Sequence, residues 1–283
     1  MRRRVALLLT TALAALAPAA EAAPKRIVAL TPFSANTLAE IGVRPVGIGQ
    51  TLGGNARFHP RLDDVRVLPL AHPLGPNMEQ LATLRPKLVF SSPTWAKGAQ
   101  TMRRLDMRVE EVDPPRVTDI ARATRTVGRL VGRKKRAGRL AKRHERWIRR
   151  VTQNIERRPR VLMVLGVGRT PYAFLPNSWG GDLVTRAGGR LVTGGVEDSG
   201  GFARISDEKV IEEDPDVILA VPHAAPDDID DIKRSMESNE LWKLTRAGQT
   251  GSIFVSTDNS LLQAGTDVAN VIRTVRQRYL KNW

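Results

Sequence analysis

The chain has 283 residues, enough for one large core or two ordinary ones, and carries 45 Lys and Arg against 29 Asp and Glu. It contains no cysteine, which excludes disulfides, thiolate metal sites and a lipid-modified cysteine. The net charge of +16 would suit a polyanion binder if it were spread over the molecule, but 17 basic and only three acidic residues fall within positions 116–160.

Residues 1–22 join a basic head, Arg2 to Arg4, to an apolar run from Val5 to Leu16 and small residues at Ala20 and Ala22. This pattern predicts a secretory signal peptide cut between Ala22 and Ala23. The run is too short for a lasting membrane span, and no other segment matches its length. The mature chain is therefore expected to be soluble and periplasmic. Without the leader, 42 basic and 28 acidic side chains remain, so everything outside the basic segment is close to neutral.

In chain order, RIVAL (26–30), RPVGIG (44–49) and KLVFSS (87–92) read as buried strands with helices between them. Residues 116–158 form the longest strongly basic stretch and contain no proline. Their apolar positions, Ile120, Val127, Val131, Leu140, Ile148, Val151 and Ile155, keep mostly to three-, four- and seven-residue steps. They predict one long amphipathic helix from about Thr118 to Glu156, roughly 55 Å long, which Gly128, Gly132 and Gly138 weaken. His144 is expected on its solvated face. Beyond it, RVLMVLGV (160–167), DVILAV (216–221) and SIFVS (252–256) read as strands again. The predicted fold class is α/β: two α/β lobes with mainly parallel sheets, 23–115 and 159–283, joined by one long rigid helix, with a ligand cleft between the lobes.

One unit is written twice, as NMEQLATLRPKLVFSSP (77–93) and SDEKVIEEDPDVILAVP (206–222). Asn77 and Ser206 suit helix N-caps, and Gln80 completes a capping box. Glu79 and Glu208 fall in the first turn, where a negative charge meets the positive helix end. Pro86 and Pro215 mark the turn into the strand, Pro93 and Pro222 the exit. Ligands of α/β sheets gather at the carboxyl ends of strands. Candidate loops are therefore Thr31–Asn36, Gln50–His59, Ser91–Lys97, Gly168–Tyr172, His223–Asp227 and Thr257–Ser260. Within them Trp95 offers a flat apolar face, with a purely structural role as the alternative. Arg57 and Arg169, with Arg204 further on, supply forked donors to an anionic or oxygen-rich ligand, or are solvated surface charges.

Catalysis is not expected. VGIGQTLGG and LGVGRTP lack the third glycine of a dinucleotide fingerprint, PNSWGG lacks the first glycine of a nucleophile elbow, and no Ser/His/Asp set emerges.

KRIVALTPFSANTLAEIGVRPVGIG and PNMEQLATLRPKLVFSSP, followed by FLPNSWGGDLVTRAGG, ISDEKVIEEDPDVILAVP and LWKLTRAGQTGSIFVS, resemble the periplasmic substrate-binding proteins of ABC importers for ferric siderophores and cobalamin. The resemblance runs in order over nearly the whole mature chain. It implies two α/β lobes around a cleft, a bridging helix, no enzymatic activity, no cofactor and a monomer. It also implies a permease partner docked through one acid per lobe, here Glu79 and Glu208, and places Phe202 and Arg204 at the cleft. The ligand it implies is a metal chelate, a ferric siderophore first, with cobalamin or haem on the same scaffold as alternatives. The hydroxamate binders' arginine before the Pro-Asn is missing from AHPLGPN, and Trp95 stands where they carry a tyrosine. Haem is disfavoured because Tyr172 and Tyr279 both follow the basic helix, although His59 and His72 keep it open. Direct capture of a metal ion by His59, His72, His223 and Asp258 is a further alternative. From another class comes a polyanion- or anionic-lipid-binding protein using the basic helix; nucleic acid is not an expected partner.

Overall fold

The computed structural model describes residues 26–51, 58–71, 74–155, 159–168, 170–196, 200–224 and 226–281. The expected leader, together with Arg57, His72 and Arg169, lies outside the described residues.

The first sheet draws on β1 (Ile27–Ala29), β2 (Gly47–Gly49), β3 (Val67–Leu68), β6 (Leu88–Ser91) and β7 (Arg108–Glu111), in the order β3-β2-β1-β6-β7 and parallel throughout. A small antiparallel ribbon, β4 (Leu70–Ala71) with β5 (Gly75–Pro76), stands apart from it. Helices α1 (Pro32–Glu40), α2 (Met78–Thr83) and α3 (Ala96–Arg104) connect these strands. The second sheet comprises β8 (Arg160–Val167), β9 (Thr170–Phe174), β10 (Arg190–Val192), β11 (Phe202–Arg204), β12 (Val217–Pro222) and β13 (Ile253–Val255). β8 is its spine: one edge pairs with β12, and the other with β10 at its start and β9 at its end. Only β9 and β11 run antiparallel to their neighbours. Helices α6 (Trp179–Ala187), α7 (Asp207–Glu213), α8 (Ile229–Glu237), α9 (Arg246–Gln249) and α10 (Val268–Thr274) cover this sheet.

Alternation along the strands divides the core into layers. Ile27, Ala29, Leu88 and Phe90 of the first sheet, with Val161, Met163, Val217 and Leu219 of the second, face a single apolar cluster shared by both lobes. Their neighbours point the other way: Val28 and Val89 pack with Leu81 of α2, and Leu162 and Ile218 with Val210 of α7. The helices of the two copies of the repeated unit, α2 and α7, thus lie on the outer faces of the two sheets.

The described part of the basic segment, residues 116–155, does not form the single helix predicted. After a 3-10 turn at Val117–Asp119 come α4 (Ile120–Leu130) and α5 (Lys134–Val151), folded back on each other. Two features cause the reversal. Gly132 adopts φ +68°, a left-handed conformation that ends α4. Gly128 presents no side chain where Ala137 of α5 packs; a Cβ there would sit 2.0 Å from that of Ala137. An Arg125–Glu145 ion pair at 2.8 Å ties the two helices further along. His144 is also not solvated: it is 1% exposed, facing the core beside the stripe of Ala137, Leu140 and Ala141.

The helix pair is fastened at both ends of the molecule. Arg143 Nη2 reaches Glu40 of α1 at 2.6 Å, and Arg136 donates to the Ile41 carbonyl. On the other side Arg276 donates to the Val151 carbonyl, and the Val117 N–H to Asp182 Oδ2 of α6 at 2.9 Å.

Candidate functional site

A cleft of about 570 Å³ opens at the carboxyl ends of β6, β7, β8 and β12, where both sheets place their following loops. The first-lobe wall begins at Ser92, whose hydroxyl caps a 3-10 turn by accepting from the Thr94 N–H at 3.3 Å. That turn ends at Trp95, which borders the cleft yet is only 2% exposed, being packed among Leu70, Leu81 and Met102. The same wall continues with Asp113, Pro114 and Pro115 after β7, anchored by the Val112 N–H on the Ser91 carbonyl at 3.0 Å.

The second-lobe wall is built around β8. Tyr172 of β9 lies opposite Leu165, and Phe202 of β11 stacks edge-on against Phe174 with centroids 4.8 Å apart. His223 follows β12, its N–H donating to the Gly166 carbonyl at 2.8 Å. Trp179 opens α6 and donates its indole N–H to the Ser260 carbonyl at 2.9 Å, fixing the ring at the cleft's edge. The lining is thus aromatic and apolar with a few polar groups, the composition of a small-molecule site.

Among the described lining residues there is one carboxylate and no Lys or Arg. That carboxylate is Asp113. Burial pushes its pKa up to about 7 against a hydrogen bond from Ser92, and its Oδ1 has no hydrogen-bond partner among the described residues.

Of the site residues expected from sequence, the cleft brings together Trp95, Phe202 and His223. Arg204 is exposed on β11 and is not among the lining residues. Asp258 caps another 3-10 turn, accepting from the Ser260 N–H at 3.0 Å, and borders a separate cavity of about 60 Å³. His59 acts as a cap too, its Nδ1 accepting from the Arg61 N–H at 3.1 Å. No cluster of three His, Asp or Glu able to hold a metal ion occurs among the described residues. Tyr172, Trp179 and Asp113 were not picked as site residues. Tyr172 was visible at the end of a candidate loop. The other two required knowing where β7 and α6 lie.

Both docking candidates are exposed in first helical turns. Asn77 Oδ1 accepts from the Gln80 N–H at 3.0 Å and Ser206 Oγ from the Lys209 N–H at 3.2 Å, so the two caps match as the repeat predicts. The Glu208 carboxyl is held below its ordinary pKa by a hydrogen bond from the Ser206 side chain.

A family model described as periplasmic binding protein matches residues 27–259. The chain is 27% identical to a putative ABC transporter substrate-binding lipoprotein, YhfQ, of Bacillus subtilis, over 88% of this chain and 81% of the relative. It is 26% identical to a cobalamin-binding protein of Halobacterium salinarum, over 85% of this chain but 65% of that longer one. In three dimensions it matches Staphylococcus aureus IsdE complexed with heme, with a TM-score of 0.75 and 23% identity, over 90% of this chain and 98% of the other.

Proposed function

Since the chain belongs to the periplasmic binding protein family, whose members bind substrates for ABC importers and are not enzymes, we propose that its cleft captures a metal chelate with a flat apolar body, haem in the first instance, and presents it to the permease. The lining of the cleft carries this reading: aromatic rings on both lobes, two side chains of types that ligate haem iron, Tyr172 and His223, and no cationic residue among those described. The sequence disfavours haem, because no tyrosine precedes the basic helix, and keeps it as an alternative through His59 and His72. The second lobe supplies both candidate ligands instead. Relatives named for haem and cobalamin support the substrate class, and cobalamin is the second reading.

A ferric siderophore clasped by arginines is less well supported. Arg204, cross-strand from Tyr172, is not among the cleft's lining residues, and Arg57 and Arg169 lie outside the described residues. Glu79 and Glu208 would meet the permease, one from each lobe. The leader expected in residues 1–22 would place the protein in the periplasm, and no described helix is long and apolar enough to cross a membrane.

The test is a haemin titration followed by Soret absorption, on the natural chain and on His223→Ala and Tyr172→Phe variants. A saturable shift, with the band position changed in one of the variants, supports the reading. A Soret band identical in all three proteins would remove both side chains as iron ligands.

A further inference from the structure

The fold leaves one strongly charged feature without a role. Six basic residues of α5, Lys135, Arg139, Lys142, Arg146, Arg149 and Arg150, are all exposed. At about 100° per residue they fall within an arc of about 100°, directly opposite the buried stripe of Ala137, Leu140, Ala141 and His144. They form a straight row roughly 22 Å long.

This row is not used by the fold. The helix's one acid, Glu145, is taken by Arg125, and the other basic side chains that reach inward, Arg136 and Arg143, serve α1 and its end. Among the described residues none of the six has an ion-pair partner. Cations three and four apart along a helix repel one another, and Lys134 and Lys135 sit at the positive end of the helix dipole with no acid in the first turn. The first turns of the row therefore oppose the stability of the helix that carries it, while Arg149 and Arg150 in the last turn meet the negative end of the dipole. Trp147, 43% exposed, lies off the row on the flank of α5 next to the buried stripe, with the Arg143 guanidinium 5.2 Å from its ring centre.

We propose that the outer face of α5 is a docking surface for an anionic phospholipid bilayer. A row of cations on a rigid rod matches a plane of negative headgroups. The surface is separate from the helices bearing Glu79 and Glu208, because α2 and α7 cover the outer faces of the sheets while α5 packs on the core shared by both lobes. Membrane attachment would hold the protein near the bilayer while leaving the first turns of α2 and α7 uncovered.

The test is co-sedimentation of the chain from Ala23 onward, so that the apolar run Val5–Leu16 contributes nothing. The vesicles are equal parts phosphatidylglycerol and phosphatidylethanolamine, or phosphatidylcholine alone, at about 100 mM salt. We expect binding to the first only, weakening as salt rises. Replacing Lys135, Arg139, Lys142 and Arg146 together by Gln should reduce it at least about a hundredfold, and Trp147→Ala, off the row, should leave it nearly unchanged. A control with Arg26, Lys87, Lys233 and Lys243 replaced by Gln should bind as before. Absence of vesicle binding, equal loss in the control, or retention of heparin or DNA without vesicles would each overturn the proposal. Haemin binding, read on the same variants, reports separately on the cleft.

Discussion

One buried and one half-buried ionisable group, His144 and Asp113, give opposite pH dependences, and separating them tests the packing of the helix pair and of the cleft together. Burial lowers the pKa of His144 from 6.5 to about 4, so the native protein holds a neutral imidazole. Below pH 6.5 the unfolded chain takes up a proton that the native state refuses. His144's contribution is therefore complete above pH 6.5 and is lost as pH falls towards 4. Asp113 behaves in the reverse sense. Its carboxyl, ordinarily near 3.8, titrates at about 7, so the native state keeps a proton that the unfolded chain releases. That contribution is complete below pH 3.8 and is lost as pH rises to 7. Between pH 5 and 6.5 each group is worth about 2 kcal/mol, with opposite sign, so the natural chain should show a nearly flat stability profile there. Asp113→Asn should unmask His144, stability rising by about 2 kcal/mol from pH 5 to 6.5. His144→Leu should unmask Asp113, with a fall of similar size. Urea unfolding at several pH values reads both slopes. Parallel profiles for all three proteins would refute the burial reasoning for both residues.

Other expectations follow from single contacts. Gly128→Val drives a side chain into Ala137 and should cost about 1–3 kcal/mol in urea unfolding; an unchanged midpoint would mean that the two helices do not pack as described. Ser206→Ala removes the acceptor of the Lys209 N–H and should cost about 1 kcal/mol. It should also return Glu208 towards its ordinary carboxylate pKa, which carboxyl chemical shifts can follow; an unmoved Glu208 would separate it from the cap. Replacing Glu79 and Glu208 together by Ala should abolish ligand delivery to a reconstituted permease while leaving ligand affinity intact. A loss of affinity would take these residues out of docking.

What the sequence made legible was whatever is written locally. The repeated unit declared itself through Asn77 and Ser206, the prolines and the apolar runs. Six strands were read close to their observed positions, because buried parallel strands are continuous apolar segments. Seven of the described strands were missed: the two- and three-residue β3, β4, β5 and β10, and β7, β9 and β11. RVEE is a polar edge, and TPYAF and FAR are short and pair antiparallel, so none shows the buried-strand pattern. Asp113 was missed with them, since only β7 carries it to the cleft. The helix pair was misread for a different reason. Amphipathic spacing persists across Gly132, and periodicity alone does not separate a straight helix from two that fold back. The decision rests on one left-handed glycine and on contact between Gly128 and Ala137. His144 did carry a signal, seven residues after Ala137 and four after Leu140, on the apolar stripe.

The most direct test of the central claim is tryptophan fluorescence of the chain from Ala23 onward, titrated with haemin, cobalamin, a ferric hydroxamate, ferric citrate, zinc and manganese. Trp95 and Trp179 border the cleft, so a chelate held there should quench them. The account predicts saturable quenching by haemin, strongest of the panel, with no response to either free ion. Binding of a free ion alone, or of the ferric hydroxamate in preference to haemin, would contradict it.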